Sequence, residues 1–216
     1  MTDFRKDFIA FCIEQGVLKF GRFVTKSGRT TPYFFNAGLF NTGAALDRLA
    51  QFYAKAILAS GVRFDMLFGP AYKGIVLAAS VAIVLAREGR DVPFAFNRKE
   101  VKDHGEGGDI IGSPLAGRVL IVDDVMTAGT AARESVDRIR RHGATPAGMA
   151  LSLDRMERGQ GELSAIEEVR QRHGIPVIAI ATLDDLMSWL ADSAEFRNNL
   201  NSIREYRQLY GVVHHA

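Results

Sequence analysis

The sequence predicts an α/β fold in which a parallel twisted sheet carries helices on both faces and follows a small N-terminal hood subdomain. The first observation is that short apolar segments alternate with segments of helical periodicity from about residue 62 to about residue 183, a pattern typical of parallel sheets. The second is that residues 1–40 show a helix and two strands without this alternation. A chain of 216 residues suits a single domain, and we expect part of the C-terminus to complete the hood.

Periodicity and the residues that start and stop each element predict the order of the elements. Phe8 and Phe11 fall on one face of a first helix, which Gly16 ends. Aromatic and β-branched residues on either side of Gly28 predict two strands joined by a turn, and Thr42 is a typical N-cap for the next helix. We expect, in order, a helix over 3–15, strands within 17–40, a helix over 43–60, a strand over 64–68, a helix over 74–88, a strand over 92–96, a long loop over 98–116, a strand over 119–122, a helix over 130–142, a strand over 145–153, a helix over 162–173, a strand over 176–181, and helices over 184–192 and 195–209.

The composition argues against several classes of protein. Apolar residues make up 47% and charged residues 24% of the chain, which is ordinary for a globular protein, and no apolar run reaches membrane-spanning length. A net charge of +2 without a clustered basic face argues against nucleic-acid binding. The single cysteine, Cys12, excludes an internal disulfide framework, and the charged N-terminus lacks a signal-peptide core. We therefore expect a cytoplasmic protein that binds neither nucleic acid nor a membrane.

Residues 119–131 carry the strongest chemical signal. Four apolar residues predict a buried strand, and two adjacent carboxylates, Asp123 and Asp124, stand where this strand should end. A loop of small residues then leads into an amphipathic helix that begins at Thr130. Ligands of open α/β sheets bind beyond the carboxyl ends of the strands, and backbone amides at a helix N-terminus attract phosphate. Because carboxylates beside a phosphate can accept hydrogen bonds from sugar hydroxyls, the pattern indicates a site for a phosphorylated ribose.

Two nucleotide-binding alternatives do not fit the sequence. The acidic strand of a nucleoside triphosphatase requires a Gly-x4-Gly-Lys-Ser/Thr loop, and the nearest segment, from Gly21 to Ser27, has Thr25 in place of the second glycine. The glycines of residues 105–108 do not form a dinucleotide fingerprint, because Ile110 stands where the last glycine belongs. A purely structural role of the two aspartates, as caps of the following turn, stays open.

Two further segments carry groups that suit anions. Residues 69–74 join a strand to a helix and place backbone amides and one cation, Lys73, at the same edge of the sheet. Unstructured loops as long as the one predicted over residues 98–116 are often lids or binding loops. The alternative in each case is a cation on a solvated surface. The cations of the long loop are Arg98, Lys99, Lys102 and His104.

Residues 119–131 resemble the binding motif for 5-phosphoribosyl 1-pyrophosphate (PRPP) of the phosphoribosyltransferases. Four other segments narrow the resemblance to the orotate phosphoribosyltransferase family, because they occur in the family's order and at close to its spacing. The resemblance covers about residues 4 to 210. The four segments are residues 25–29 with 32–36, residues 69–74, residues 96–107 and residues 152–155.

The resemblance implies a type I phosphoribosyltransferase fold and an enzyme that transfers the phosphoribosyl group of PRPP to orotate in UMP biosynthesis. It implies Mg²⁺ as the cofactor, held mainly by PRPP and water near Asp123 and Asp124. It also implies a homodimer with shared active sites, in which Lys99 and Lys102 enter the neighbouring subunit's site. A cis peptide bond is implied between Ala71 and Tyr72.

The same resemblance implies three sets of site residues. The catalytic residues are Lys102, Asp123, Asp124, Arg98, Lys99 and His104. The PRPP-binding residues are Lys26, Tyr72, Lys73, Arg98, Lys99, Lys102, His104, Asp123, Asp124, Val125, Met126, Thr127, Ala128, Gly129, Thr130 and Ala131. The orotate-binding residues are Lys26, Phe34, Phe35, Thr127 and Arg155.

Two functional alternatives stay open. In the first alternative the acceptor is another nucleobase. In the second, the chain is a non-catalytic regulator that keeps the fold and binds PRPP and nucleic acid. Lys26 and Arg155 favour orotate, because a guanidinium or ammonium suits a carboxylate and an uncharged base needs neither. The cations of residues 98–104 favour an enzyme over a regulator.

Overall fold

The computed structural model describes residues 3–25, 28–102, 108–126, 129–159 and 161–212, with the backbone alone for residues 99–102. Within these residues every predicted helix and strand is present, and one further strand, β5, occurs. The elements are α1 (Phe4–Glu14), β1 (Leu18–Val24), β2 (Thr30–Phe35), a 3₁₀-helix (Ala37–Leu39), α2 (Gly43–Ala59), β3 (Met66–Gly69), α3 (Lys73–Arg87), β4 (Phe94–Lys102), β5 (Gly108–Gly112), β6 (Arg118–Val122), α4 (Thr130–Arg141), β7 (Thr145–Asp154), α5 (Ala165–His173), β8 (Val177–Thr182), α6 (Leu183–Ala191) and α7 (Arg197–Tyr210).

Strands β3 to β8 form one six-stranded sheet in the order β5-β4-β3-β6-β7-β8. All neighbouring strands of this sheet are parallel except β4 and β5, which are antiparallel. The predicted α/β fold is confirmed, and the antiparallel edge makes the sheet mixed rather than wholly parallel. An antiparallel edge strand on an otherwise parallel sheet is common in this class.

The prediction of a long loop over residues 98–116 is wrong in part. Strand β4 continues to Lys102, which pairs with Gly108 at the start of β5. Strand β5 lies at the edge of the sheet, and its residues are half-buried or exposed. A strand in that position needs no continuous apolar run, so the charged sequence of this hairpin gave no strand signal.

Helices cover both faces of the sheet. Helices α2 and α3 pack on one face, and α4 and α5 pack on the other. Successive residues of β6 alternate between the two faces: Leu120 and Val122 join the core cluster of α2 and α3, whereas Val119 and Ile121 join that of α4 and α5. Burial on both faces explains why this strand reads as a continuous apolar run. Among the described helices, none combines the length and the apolar character that crossing a membrane requires.

The N-terminal elements pack beside the sheet together with the C-terminus. Strands β1 and β2 form a separate two-stranded antiparallel sheet. The Arg29 guanidinium donates hydrogen bonds to the carbonyl oxygens of Arg158 (2.8 Å) and Gly159 (3.0 Å) and lies 5.1 Å from the ring centroid of Tyr210. These contacts support the predicted hood of residues 1–40 with part of the C-terminus and the core of residues 62–183, a division that stays a prediction.

Candidate active site

The centre of the sheet has the geometry of a ligand crevice. Strands β3 and β6 are neighbours, and the chain runs from β3 through α3 to β4 on one side but from β6 through α4 to β7 on the other. Helices α3 and α4 also lie on opposite faces of the sheet. The loops that follow β3 and β6 therefore diverge at the carboxyl ends of the strands, which is the topological switch point where open α/β sheets bind ligands.

An ion pair joins the two loops across this crevice. Lys73, at the start of α3, donates from Nζ to Oδ2 of Asp124 at 2.5 Å. The Asp124 side chain is 11% exposed and that of Lys73 is 55% exposed, so the pair lies at the mouth of the crevice. A charge-assisted contact of this length orients both groups, although its exposure to water limits what it adds to stability.

Buried groups of the scaffold fix the backbone that carries the two aspartates. The Tyr53 hydroxyl, from α2, donates to the carbonyl oxygen of Asp123 at 2.6 Å. Ser152, on β7, donates to the carbonyl oxygen of Asp124 from Oγ at 2.5 Å and from its backbone N–H at 2.8 Å. Tyr53 and Ser152 have no exposed surface. Sequence analysis missed both supports, although Ser152 lies within a segment that carries the family resemblance.

The two carboxylates occupy different electrostatic environments. Burial raises the pKa of Asp123 to about 7, and the negative charge of the neighbouring Asp124 contributes to the rise. The backbone N–H of Asp124 donates to Oδ1 of Asp123 at 2.9 Å, and this bond and the Lys73 ammonium oppose the rise. Near neutral pH, Asp123 is therefore present in both its protonated and its charged form. Perturbed carboxyl groups of this kind are enriched at functional sites.

We predict that Asp123 makes the folded protein less stable as pH rises. Its pKa is about 7 in the folded state and about 3.9 in an unfolded chain. The folded state therefore holds the proton more tightly. The stabilisation of the folded state by this proton is complete below about pH 4 and is lost as pH rises through about 7. Asp123→Asn should flatten that decline by up to about 4 kcal/mol. Urea unfolding of both proteins from pH 4 to 8 measures the difference. Parallel pH profiles of the two would contradict the assignment.

The loop after Asp124 leads into the N-terminus of α4. Val125 forms a parallel β-bridge with Leu153, which keeps this loop against β7. Gly129 precedes α4 in the left-handed conformation, with φ of 67°, which favours glycine. Thr127 and Ala128 lie outside the described residues. A cavity of about 240 Å³ adjoins this turn. Its lining contains six of the residues predicted to bind PRPP and consists of Asp123, Val125, Met126, Gly129, Thr130, Ala131, Ala132 and Met149.

The loop after β3 depends on two glycines that approach each other closely. A Cβ atom at Gly69 would lie 2.0 Å from the carbonyl oxygen of Gly74, and one at Gly74 would lie 2.5 Å from Cδ of Pro70. The loop can therefore fold back on itself only without these side chains, which places the N-terminus of α3 directly against the end of β3. Lys73 owes its position beside Asp124 to this close packing.

Strand β4 contributes a contact that sequence analysis missed. Asn97 accepts a hydrogen bond at Oδ1 from the backbone N–H of Ala71 at 3.0 Å and donates from Nδ2 to the carbonyl oxygen of Arg98 at 3.1 Å. The peptide bond between Ala71 and Tyr72 is cis, as the family resemblance implied. The Tyr72 side chain, at the N-cap of α3, is exposed. The signal that could have identified Asn97 is its place one residue before the basic run.

Three of the four cations that the sequence predicted in the long loop lie on β4, within the hairpin of β4 and β5. Arg98 is half-buried on β4, and Lys99 and Lys102 lie on the same strand with only their backbone described. His104 lies outside the described residues. A carboxylate on β5 fastens this hairpin to α4, because Asp109 accepts hydrogen bonds from Nε of Arg138 at 2.6 Å and pairs with Nε2 of His142 at 2.9 Å.

Of the residues predicted to bind orotate, the structure describes Phe34 and Phe35 on β2 and Arg155 at the end of β7, and Thr127 lies outside the described residues. Phe34 is 42% exposed and stacks on Phe23, whereas Phe35 is 7% exposed and belongs to the core. Adjacent strand residues point to opposite sides, so only Phe34 offers its ring to solvent. Lys26 lies outside the described residues. Arg155 follows β7 directly and is largely buried.

A buried polar cluster surrounds the Arg155 guanidinium. Glu157 accepts at Oε1 from Nε of Arg155 at 2.8 Å, and its Oε1 lies 2.7 Å from Nη2. The Tyr33 ring lies 4.8 Å from the guanidinium carbon. Burial alone would lower the pKa of Arg155, but Tyr33 and Glu157 raise it above its usual range, so the group stays charged. Sequence analysis missed Glu157, although it stands two residues after Arg155.

Comparison with known proteins identifies the family. Residues 39–178 match the phosphoribosyl transferase domain family. The orotate phosphoribosyltransferase of Laribacter hongkongensis is 66% identical over 212 residues, which cover 98% of this chain and 100% of that protein, and that of Chromobacterium violaceum is 63% identical, with 98% and 99% covered. A crystal structure of orotate phosphoribosyltransferase from Francisella tularensis superimposes with a TM-score of 0.87 at 44% identity, covering 95% of this chain and 99% of that one. The chain therefore belongs to the orotate phosphoribosyltransferases.

Proposed function

We propose that this protein transfers the 5-phosphoribosyl group of PRPP to orotate, releasing pyrophosphate and orotidine 5′-monophosphate, as a step of UMP biosynthesis. The observation that carries the proposal is the crevice at the switch point, where the Lys73 ammonium of one loop meets the Asp124 carboxylate of the other. An acidic pair between two anion-binding loops suits a ribose that carries a phosphate at one end and a pyrophosphate at the other. Family membership points to the same substrates.

PRPP would lie along this crevice. The 5′-phosphate binds at the N-terminus of α4, where amide groups and the helix dipole favour an anion. The ribose hydroxyls donate to Asp123 and Asp124, and the pyrophosphate lies beside Lys73. The cavity at Gly129 supports this arrangement. The residues we propose for PRPP are Lys26, Tyr72, Lys73, Arg98, Lys99, Lys102, His104, Asp123, Asp124, Val125, Met126, Thr127, Ala128, Gly129, Thr130 and Ala131.

The reaction exchanges one bond at C1′ for another. The bond from C1′ to the pyrophosphate oxygen breaks, pyrophosphate leaves with the electron pair, and a ring nitrogen of orotate bonds to C1′. Charge grows on the leaving group as its bond lengthens, so the cations Arg98, Lys99, Lys102 and His104 stabilise the transition state more than the ground state. The ring nitrogen of orotate gives up its proton to solvent and reacts as an anion, so the proposal assigns no general base.

The acidic pair also suits Mg²⁺. Among the described residues, no group of three or more His, Cys, Asp or Glu side chains is placed to hold a metal. A hard cation that keeps several waters and binds mainly through substrate oxygens needs only one or two carboxylates nearby, and Asp123 and Asp124 supply them. When bound, Mg²⁺ would neutralise charge on the pyrophosphate oxygens.

The acceptor proposal rests on the charge of the base. Orotate is flat and carries a carboxylate, which suits a guanidinium such as that of Arg155. The orotate-binding residues we propose are Lys26, Phe34, Phe35, Thr127 and Arg155. Phe34 has an exposed ring, and the core position of Phe35 leaves its backbone for any contact.

A panel of acceptors tests the function. Pyrophosphate release from PRPP and Mg²⁺ should be fast with orotate and slower by a factor on the order of 10³ in kcat/KM with uracil, which lacks the carboxylate that the site is built to bind. Hypoxanthine and adenine serve as the purine controls. Turnover of a purine without turnover of orotate would overturn the acceptor. Absence of pyrophosphate release with every base, together with salt-sensitive nucleic-acid binding, would favour the non-catalytic regulator.

A homodimer with shared sites is part of the proposal. Val76 and Ile83 lie on α3 about two helical turns apart, so they share a face, and they are 50% and 55% exposed. An apolar stripe on the helix that begins at Lys73 supports a subunit contact next to the crevice. In such a dimer Lys99 and Lys102 would act in the partner's site. A cytoplasmic location and the absence of nucleic-acid or membrane partners remain predictions from the sequence.

A further inference from the structure

Three donors converge on one oxygen of Glu157. Oε1 lies 2.8 Å from Nε and 2.7 Å from Nη2 of Arg155, and it accepts a hydrogen bond from the Tyr33 hydroxyl at 3.1 Å. The side chains of Arg155 and Glu157 are 15% and 17% exposed. A carboxylate oxygen with this many donors, in a largely buried site, holds the position of each of them.

The guanidinium is fixed on its face as well as on its edge. The Tyr33 ring centroid lies 4.8 Å from the guanidinium carbon, and Nη2 also lies 3.4 Å from Oγ1 of Thr31. Tyr33 and Thr31 are fully buried. Within the described part of the chain these contacts use Nε and Nη2, and none of them uses Nη1. The Nη1 side of the fork is therefore the part of Arg155 that these contacts leave for a ligand.

The cluster joins three segments that are distant in the chain. Thr31 and Tyr33 belong to β2, whereas Glu157 forms an antiparallel β-bridge with Gly211 beyond α7. The backbone N–H of Val212 donates to the carbonyl oxygen of Met156 at 2.9 Å, which continues this pairing. The direction of the Arg155 guanidinium thus depends on the hood and the C-terminal helix together.

We infer that Glu157 is a positioning residue for the acceptor base: it occupies the Nε and Nη2 edge of Arg155 and directs the Nη1 side toward the carboxylate of orotate. The inference rests on the proposed function. An arginine paired with a glutamate carries no net charge as a pair. Such an arginine binds a second carboxylate because its donors are fixed in place, and not because the site has excess positive charge. The position of the Glu157 oxygen therefore matters more than its negative charge.

Two conservative variants separate position from charge. Glu157→Gln keeps an acceptor oxygen at the same distance and removes the charge, whereas Glu157→Asp keeps the charge and withdraws the oxygen by one methylene. Orotidine 5′-monophosphate and uridine 5′-monophosphate are matched probes, because they differ only in the carboxylate. Titration calorimetry of each variant with both nucleotides, with circular dichroism as the folding check, provides the measurement. Glu162→Gln, an exposed glutamate of the same segment, is the matched control.

Glu157→Asp should weaken binding of orotidine 5′-monophosphate about tenfold and leave uridine 5′-monophosphate within about twofold. Glu157→Gln should stay within about threefold of the parent for both nucleotides. Tighter binding of orotidine 5′-monophosphate by Glu157→Gln would show that Glu157 competes with the ligand, and equal losses for both nucleotides would show a merely structural role. Either result overturns the inference. If the parent protein fails to bind orotidine 5′-monophosphate, the proposed function itself fails.

Discussion

An Asp124→Asn variant should lose activity by about 10²- to 10³-fold in kcat/KM with orotate and PRPP. The substitution keeps the shape of the side chain and removes the charge that pairs with Lys73 at 2.5 Å. It also turns one of the two carboxylate oxygens of Asp124, which the proposal assigns as acceptors for the ribose hydroxyls, into an NH₂ donor. Both loops of the crevice are affected, because Asp124 is the group through which they meet. Steady-state kinetics with each substrate varied in turn measures the loss.

Folding should survive this change, because the carbonyl oxygen of Asp124, rather than its carboxylate, accepts the two hydrogen bonds from Ser152. Asp137→Asn, at an exposed position of α4, is the matched control and should keep its activity within about twofold. The pKa of Asp123 should fall in Asp124→Asn, because a neighbouring negative charge is removed. An Asp124→Asn enzyme as active as the control would show that the acidic pair serves only as a cap of the turn.

The elements of the fold were predictable because hydrophobic burial imposes a period. Strand β6 is buried on both faces and reads as an apolar run, whereas α4 alternates every three to four residues as a helix on the surface of the sheet must. Strand β5 escaped prediction because an edge strand has no such constraint. The order of the strands in the sheet, with β3 beside β6, follows from packing between distant segments, which periodicity does not encode.

The candidate site was predictable where consecutive residues carry the chemistry and not where distant ones meet. Asp123 and Asp124 stand out because two carboxylates end an apolar run. Their supports, Tyr53 and Ser152, are ordinary core residues until the fold brings their donors to the aspartate carbonyl oxygens. Glu157 was missed for the same reason. A glutamate near an arginine is common in sequences, and only the buried contact in the folded protein identifies this one as part of the site.

A Lys102→Ala variant should lower kcat by about 10²-fold or more while changing the dissociation constant of PRPP by less than about tenfold. The leaving pyrophosphate gains its full negative charge only as the bond to C1′ breaks. Removal of a cation that faces it should therefore destabilise the transition state more than the bound substrate. Calorimetry gives the dissociation constant and single-turnover kinetics gives the rate. Lys19→Ala, an exposed lysine of β1, is the control. Equal losses in binding and rate would assign Lys102 to ground-state binding alone.

Mixing Lys102→Ala and Asp124→Asn protomers should then restore activity if Lys102 acts in the partner's site. In a heterodimer of the two variants, one site would combine an intact Asp124 with the intact Lys102 of the other protomer, and the second site would carry both defects. Random exchange makes half of the dimers mixed, so activity should recover to about one quarter of the parent value. If Lys102 acts in its own subunit, every site carries a defect and verified heterodimers stay inactive. The mixture thus distinguishes a shared site from a self-contained one, because both protomers are defective alone in either case.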